Sequence, residues 1–151
     1  MEMHSNMLAV YPELLKRVAA IDGVVAAKEV GELTQMIASG NAKRTVAPAV
    51  GAVYVIYGGH TPDGNAGSGK HQRNTLYFTL VYCGECKPGS RSSLYEVGKV
   101  LTSIKQAIQG WDPQEFVASP FVESNAPAIE YNDGYAFYPL SFTTTVSISA
   151  N

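Results

Sequence analysis

Apolar residues recur along this chain in two rhythms, one helical and one extended. Near the start, Leu8, Tyr11, Leu15 and Val18 are spaced by three and four, which places them on one face of a helix. Pro12 falls inside that run, so the helix either begins there or bends there, and Asp22-Gly23 closes it. Gly23 to Lys28 reads as a short strand. Val30, Leu33 and Ile37 suggest a second short helix that stops at Gly40. Two longer stretches, 46–57 and 74–83, are β-branched and aromatic on both parities, the pattern of strands covered on both faces. Between them lies Gly58 to Arg73, rich in glycine and polar residues, with no large apolar side chain to anchor it. Its length predicts a long flexible loop.

The clearest helix runs from Ser92 to Gly110. Ser93 and Glu96 have the spacing of a capping box, and Leu94, Val97, Leu101, Ile104 and Ile108 form its apolar stripe. Gly110 is placed to end it, with Trp111 folding back on the last turn and Pro113 preventing continuation. Phe116 to Val122 and Ala128 to Tyr131 read as extended, and Asn132-Asp133-Gly134 is a hairpin turn signal. The closing strand, Tyr135 to Ser149, alternates. Leu140, Phe142, Val146 and Ile148 share one face, while Ser141, Thr143, Thr145, Ser147 and Ser149 face water or a partner. Pro139 puts its first half at an edge or a bulge, and an unpaired strand edge is a template for subunit pairing. The element order predicts an α+β fold: a mainly antiparallel sheet of about four strands packed with two or three helices.

Composition narrows the function classes. The 151 residues suit one domain, 1–151, and 46% hydrophobic against 16% charged residues supports a packed core. A net charge of −2 and a pI near 5.9 do not fit a protein that neutralises phosphates, so no nucleic-acid sequence recognition is expected. No apolar run reaches the roughly 18–20 residues of a membrane span, and Met1 to Val10 lacks the features of a secretory signal. No membrane role is expected. Two cysteines do not make a disulfide framework.

Two motifs invite chemistry. Gly64 to Lys70 has the G-x-x-x-x-G-K spacing of a phosphate loop, but His71 replaces the magnesium-binding hydroxyl and a strand follows where a helix is needed. A glycine-rich loop is the simpler reading. Cys83-Gly84-Glu85-Cys86 is a C-x-x-C, the basis of an alternative reading as a small thiol oxidoreductase or metal-binding protein. Against the redox reading, Lys87 to Ser90 separates the pair from the next helix, whose N-terminus would lower a thiol pKa. As a zinc site it is half-complete, with His60 and His71 as the residues able to swing toward the thiols. No nucleophile elbow or Ser/His/Asp arrangement is present, so no catalytic residue, no cofactor and no metal is assigned.

The run Ala47 to Tyr57, the helix ending Gly110-Trp111-Asp112-Pro113, and the late Tyr135-Ala136-Phe137-Tyr138-Pro139-Leu140-Ser141-Phe142 together resemble the tail terminator proteins of Mu-like tailed bacteriophages. Those are similar in fold to the lambdoid tail terminators. The resemblance covers Leu8 to about Ile148; the Cys83/Cys86 pair and the Gly64–Lys70 stretch are not part of the family pattern. It implies a virion structural protein and not an enzyme: a hexameric ring that caps the tail tube, stops its polymerisation and helps join tail to head. The implied partners are further copies of the chain, the tail tube protein and the head–tail connector proteins. The implied location is the tail end near the neck, after assembly in the bacterial host cytoplasm. Within this frame the 58–73 segment is the expected partner-contact loop, with His60, Lys70 and Arg73 as its contact residues. Gly110, Trp111 and Pro113 are expected to be structural.

Overall fold

The computed structural model describes residues 6–29, 48–86 and 93–151. The suggested Val30–Gly40 helix and the Lys87–Ser90 spacer lie outside the described residues. The elements are α1 (Val10–Ala19), β1 (Ala26–Glu29), β2 (Ala52–Ala66), β3 (His71–Glu85), α2 (Leu94–Ile108), β4 (Ser119–Ser124), β5 (Glu130–Asn132) and β6 (Tyr135–Ser149). The fold is α+β, but the sheet is larger than about four strands: six pair in the order β1-β2-β3-β6-β4, with β5 also on β6. It is also mixed, because β1 runs parallel to β2 while all other pairs are antiparallel.

The helices form from amphipathic stripes, though not along the lines the spacing suggested. In α1 the buried line is Val10, Leu14 and Val18, with Leu8, Tyr11 and Leu15 packed at its flanks. Pro12 sits in the first turn, where a missing N–H costs no intrahelical hydrogen bond, so it neither starts nor bends the helix. In α2, Val97, Ile104 and Ile108 are buried and Leu101 is half-buried, whereas Leu94 is 74% exposed. Ser93 caps this helix: its hydroxyl accepts from the Glu96 N–H at 3.2 Å. The Glu96 carboxylate pairs with Lys99.

One sheet face carries the main core. Val53, Val55, Leu76, Phe78, Leu80, Tyr82, Tyr138, Leu140, Phe142 and Val146 pack there with both helices. On the opposite face a smaller cluster of Ala52, Tyr54, Val81, Cys83 and Phe137 is also buried. The first half of strand β6 is not an edge. It lies between β3, which pairs with its whole length, and β4 and β5 on the other side. Pro139 falls between the stretch paired with β5 (135–137) and that paired with β4 (141–145), where no strand asks for its amide. The β5–β6 hairpin turns at Asp133 (φ 51°) and Gly134 (φ 83°), both left-handed as a type I′ turn requires.

The expected loop at 58–73 is not a loop. Residues 58–66 continue β2 and 71–73 begin β3, leaving only Gly67 to Lys70 as the turn. Glycine-rich polar sequence has little strand propensity of its own. Here the register set by the apolar halves of the strands extends into it. Backbone hydrogen bonds from β3, and from β3 onward to β6, do not depend on side-chain type.

Candidate functional site

The feature most unlike an ordinary domain surface is an arm of three strands: 59–66 of β2, 71–77 of β3 and 143–149 of β6. Every residue from His60 to His71 is exposed except at the chain's own pairing contacts, so the outer arm stands clear of the core. Two register shifts bend β2 along it, at Tyr57/Gly59 and at Pro62/Asn65, each giving β2 one residue more than β3. Gly59 (φ 105°) and Gly64 (φ 87°) supply the left-handed backbone beside these bulges.

Side chains lock the arm internally. The Arg73 guanidinium lies 3.6 Å from the Asp63 carboxylate and donates to the Asp63 carbonyl at 3.1 Å. Gln72 Nε2 donates to the carbonyls of Gly64 and Arg73, both at 2.8 Å, so the second bulge is held from two sides. His71 Nδ1 meets Ser149 Oγ at 2.9 Å, and the Ala150 N–H donates to the Lys70 carbonyl at 2.7 Å, which ties β6 to the turn. His60 is elsewhere: its Nδ1 meets the Tyr57 hydroxyl at 2.6 Å near the first bulge. The three residues expected to act as one contact set are therefore separated. Lys70 sits in the tip, Arg73 is committed to Asp63, and His60 belongs to the base.

The sheet face turned away from the helices is the second feature. Thr75, Tyr77 and Thr79 of β3 stand opposite Thr145, Thr143 and Ser141 of β6. Thr79 meets Ser141 at 2.8 Å and Ser119 meets Thr145 at 2.7 Å, while the Thr75 hydroxyl donates to the Asp63 carboxylate at 3.4 Å. Toward the core end this face opens into an apolar groove of about 440 Å³ floored by Ile56, Val81, Phe137 and Pro139 and walled by Pro127, Ala128 and Glu130. Ala128 to Tyr131 reads as extended in the sequence, but only the position of this segment against β6 makes it a wall.

The remaining motifs do not assemble. Gly64 to Lys70 spans a bulge and a hairpin turn, and a strand follows it, so no helix dipole aims at the turn. Cys83 is buried on β3 and Cys86 is exposed, and neither is in a disulfide. His71 pairs across from Ser149 and Cys83 from Phe137, twelve residues apart along one extended strand, about 40 Å. The Leu76 partner of His60 is seven residues from Cys83, about 24 Å. Neither histidine reaches the thiols, because the segment carrying them is a paired strand and not a mobile loop. Among the described residues no group of three or more His, Cys, Asp or Glu side chains has the geometry to hold a metal. No described helix is long and apolar enough to cross a membrane.

Four tyrosine hydroxyls have pKa values raised above 10, Tyr11, Tyr57, Tyr82 and Tyr138, in each case chiefly because burial disfavours the phenolate. Tyr11, whose hydroxyl donates to the Val55 carbonyl at 3.2 Å, also feels Glu29. The Tyr11 bond tethers α1 to β2.

At the end of α2, Gly110 has the left-handed backbone of a helix-ending glycine. Gln109 (φ −60°, ψ 120°) and Gly110 (φ 77°) form a type II turn closed by the Trp111 N–H on the Ile108 carbonyl at 3.0 Å. The Gly110 N–H donates to the Phe121 carbonyl of β4, and the Trp111 ring stacks on Phe121 at 5.1 Å. Pro113 starts a turn closed by the Phe116 N–H at 2.8 Å. The same Gly-Trp-x-Pro turn and closing aromatic strand lie within a sequence match to phage tail terminator proteins that covers residues 3–151, nearly the whole chain.

The chain belongs to the phage tail terminator family.

That family is one of phage structural proteins and not an enzyme class, and it makes this chain a tail component of a virion that interacts with other tail components. No curated protein matches the chain.

Proposed function

We propose that this chain, folded as a single domain, assembles into a six-membered ring that caps the tail tube and stops its polymerisation. In this reading the ring forms in the host cytoplasm, sits at the tail end near the neck and helps join the tail to the head. Its partners are copies of itself, the tail tube protein and the head–tail connector proteins. Membership of the tail terminator family supports the reading. Within the structure, the three-stranded arm carries it. The arm is stiffened by two ladders and by the Asp63–Arg73–Gln72 lock, yet every residue of its outer part, from His60 to His71, is exposed. Ordering a polar segment of this length against nothing is thermodynamically unrewarded unless a partner surface receives it. Lys70, at the tip, makes no ion pair among the described residues, and it is the cation the arm presents to the tube.

The test is tail length. Phage carrying Lys70→Glu are expected to produce overlong or headless tails in negative-stain images while the purified variant keeps its melting temperature. Tails of normal length from that variant would show that the arm tip is not the tube contact.

A further inference from the structure

We propose that the arm tip is an anion-binding turn, built from the Ser68 and Gly69 amides, the Ser68 hydroxyl and the Lys70 ammonium, and that it receives a carboxylate of the tail tube. The proposal rests on the capping reading above and names the chemistry of its tube contact.

The tip is rich in donors, and its carbonyls on either side are taken. Gly67 (φ 61°), Ser68 (φ 58°) and Gly69 (φ 87°) are three successive left-handed residues. The Lys70 N–H closes them on the Gly67 carbonyl at 3.2 Å, and the Lys70 carbonyl accepts from the Ala150 N–H at 2.7 Å. Among the described residues the N–H groups of Ser68 and Gly69, the Ser68 hydroxyl and the Lys70 ammonium make no hydrogen bond or ion pair. Successive amides of a turn are the elements of an anion-binding concavity. The His71 ring leans over this turn: a Cβ on Gly67 would lie 3.1 Å from its Cδ2 and 3.6 Å from its Nε2, while its Nδ1 meets Ser149. No acid within the chain takes the donors. Asp63 is committed to Arg73 and Thr75, and Asn151, the residue after Ala150, forms no ion pair with Lys70.

Ser68 is the strained member. A left-handed backbone is unfavourable for a residue with a Cβ and easy for the glycines on either side. What serine adds over glycine here is a hydroxyl, and that hydroxyl bonds to nothing within the described chain. The strain finds its compensation in a partner. Charge then selects the partner's chemistry. Arg73 is held by Asp63, which leaves Lys70 as the unpaired cation of the tip. One ammonium among neutral donors matches the single charge of a carboxylate. A run of nucleic-acid phosphates calls for several cations, which a tip with one free lysine on a chain of net charge −2 does not supply. The G-x-x-x-x-G-K spacing of Gly64 to Lys70 is thereby absorbed: with His71 in place of the hydroxyl and a strand in place of the helix, only this donor set remains. At an exposed surface each such contact changes affinity only a few-fold, and the arms of a ring engaging together multiply it.

Cosedimentation of the purified protein with tail tubes of the same phage reads the contact. Lys70→Gln is expected to weaken tube binding by about 100-fold or more, and Lys70→Arg to bind within about threefold of wild type. Ser68→Gly relieves the strain, so it is expected to keep or raise the melting temperature while binding tubes about tenfold more weakly. Wild-type protein is expected to lose binding as Lys70→Gln does on tubes whose surface carboxylates are amidated with glycinamide and whose length in negative stain is unchanged. Binding that survives amidation but not Lys70→Gln would overturn the carboxylate while leaving the arm tip as the tube contact. A short DNA duplex that displaces wild-type protein from tubes at equal ionic strength would overturn it in favour of phosphate. Ser68→Gly that binds as wild type would take the hydroxyl out of the site. Unchanged binding of Lys70→Gln would overturn the site altogether, and wild-type protein that binds no tubes would overturn the capping reading as well.

Discussion

The guanidinium of Arg17 on α1 lies 4.8 Å from the centroid of the Trp111 ring just beyond α2, and its Nε donates to the Ala107 carbonyl at 2.7 Å. One side chain therefore satisfies an open carbonyl in the last turn of α2 and covers the tryptophan that follows it. A cation at that end also complements the helix dipole. Arg17→Ala is expected to cost about 1 kcal/mol, and Trp111→Ala about 3 kcal/mol through loss of its stack on Phe121. Urea unfolding of the two single variants and the double variant should give a coupling of about 0.5–1 kcal/mol. Strict additivity would show that the two residues do not act on one another.

Gly110→Ala isolates a backbone effect. A Cβ there meets nothing within 4 Å, so the cost comes only from holding an L-residue at φ 77°. About 1 kcal/mol of destabilisation is expected, less for Asn, which tolerates the left-handed region. Equal stability of Ala and Gly variants in thermal unfolding would mean that the type II turn relaxes freely.

The two cysteines should separate. Cys86 is exposed, so Cys86→Ser is expected to change stability by less than about 0.5 kcal/mol. Cys83 is fully buried beside Tyr54, Val81 and Phe137, so Cys83→Ser places a hydroxyl in an apolar cluster at a cost of about 1–3 kcal/mol. In thiol titration of the native protein only Cys86 should react promptly. Two fast thiols would contradict the burial.

Alkaline pH should unfold the protein before neutral pH does. Tyr11, Tyr57, Tyr82 and Tyr138 hold their protons more tightly folded than unfolded. Their contribution is full below pH 10, the ordinary tyrosine value, and is lost as pH rises through the raised folded values. A urea midpoint that is flat between pH 6 and 9 and falls above about pH 10 is expected. A midpoint that rises above pH 10 would reverse the sign.

Much of this fold was legible in the order of residues. Ser93 three positions before Glu96, the Asn132-Asp133-Gly134 turn and the alternation along 135–149 are local signals, and each element they announce is present because its own backbone geometry or apolar face demands it. The family resemblance was likewise carried by local runs, and the match over 3–151 agrees with it. What tertiary structure alone decided is the fate of segments whose side chains say nothing. Residues 58–66 and 71–73 carry no apolar alternation, yet they are strand, because the ladder that pairs them is made by backbone groups common to every sequence and is aligned by the apolar halves of β2, β3 and β6. The groove depends on Ile56, Val81, Phe137 and Ala128, which lie far apart in the chain and meet only when the strands register. Arg17 and Trp111, ninety-four residues apart by their numbering, carry no mutual signal in the sequence, and the packing of α1 against the end of α2 brings them face to face.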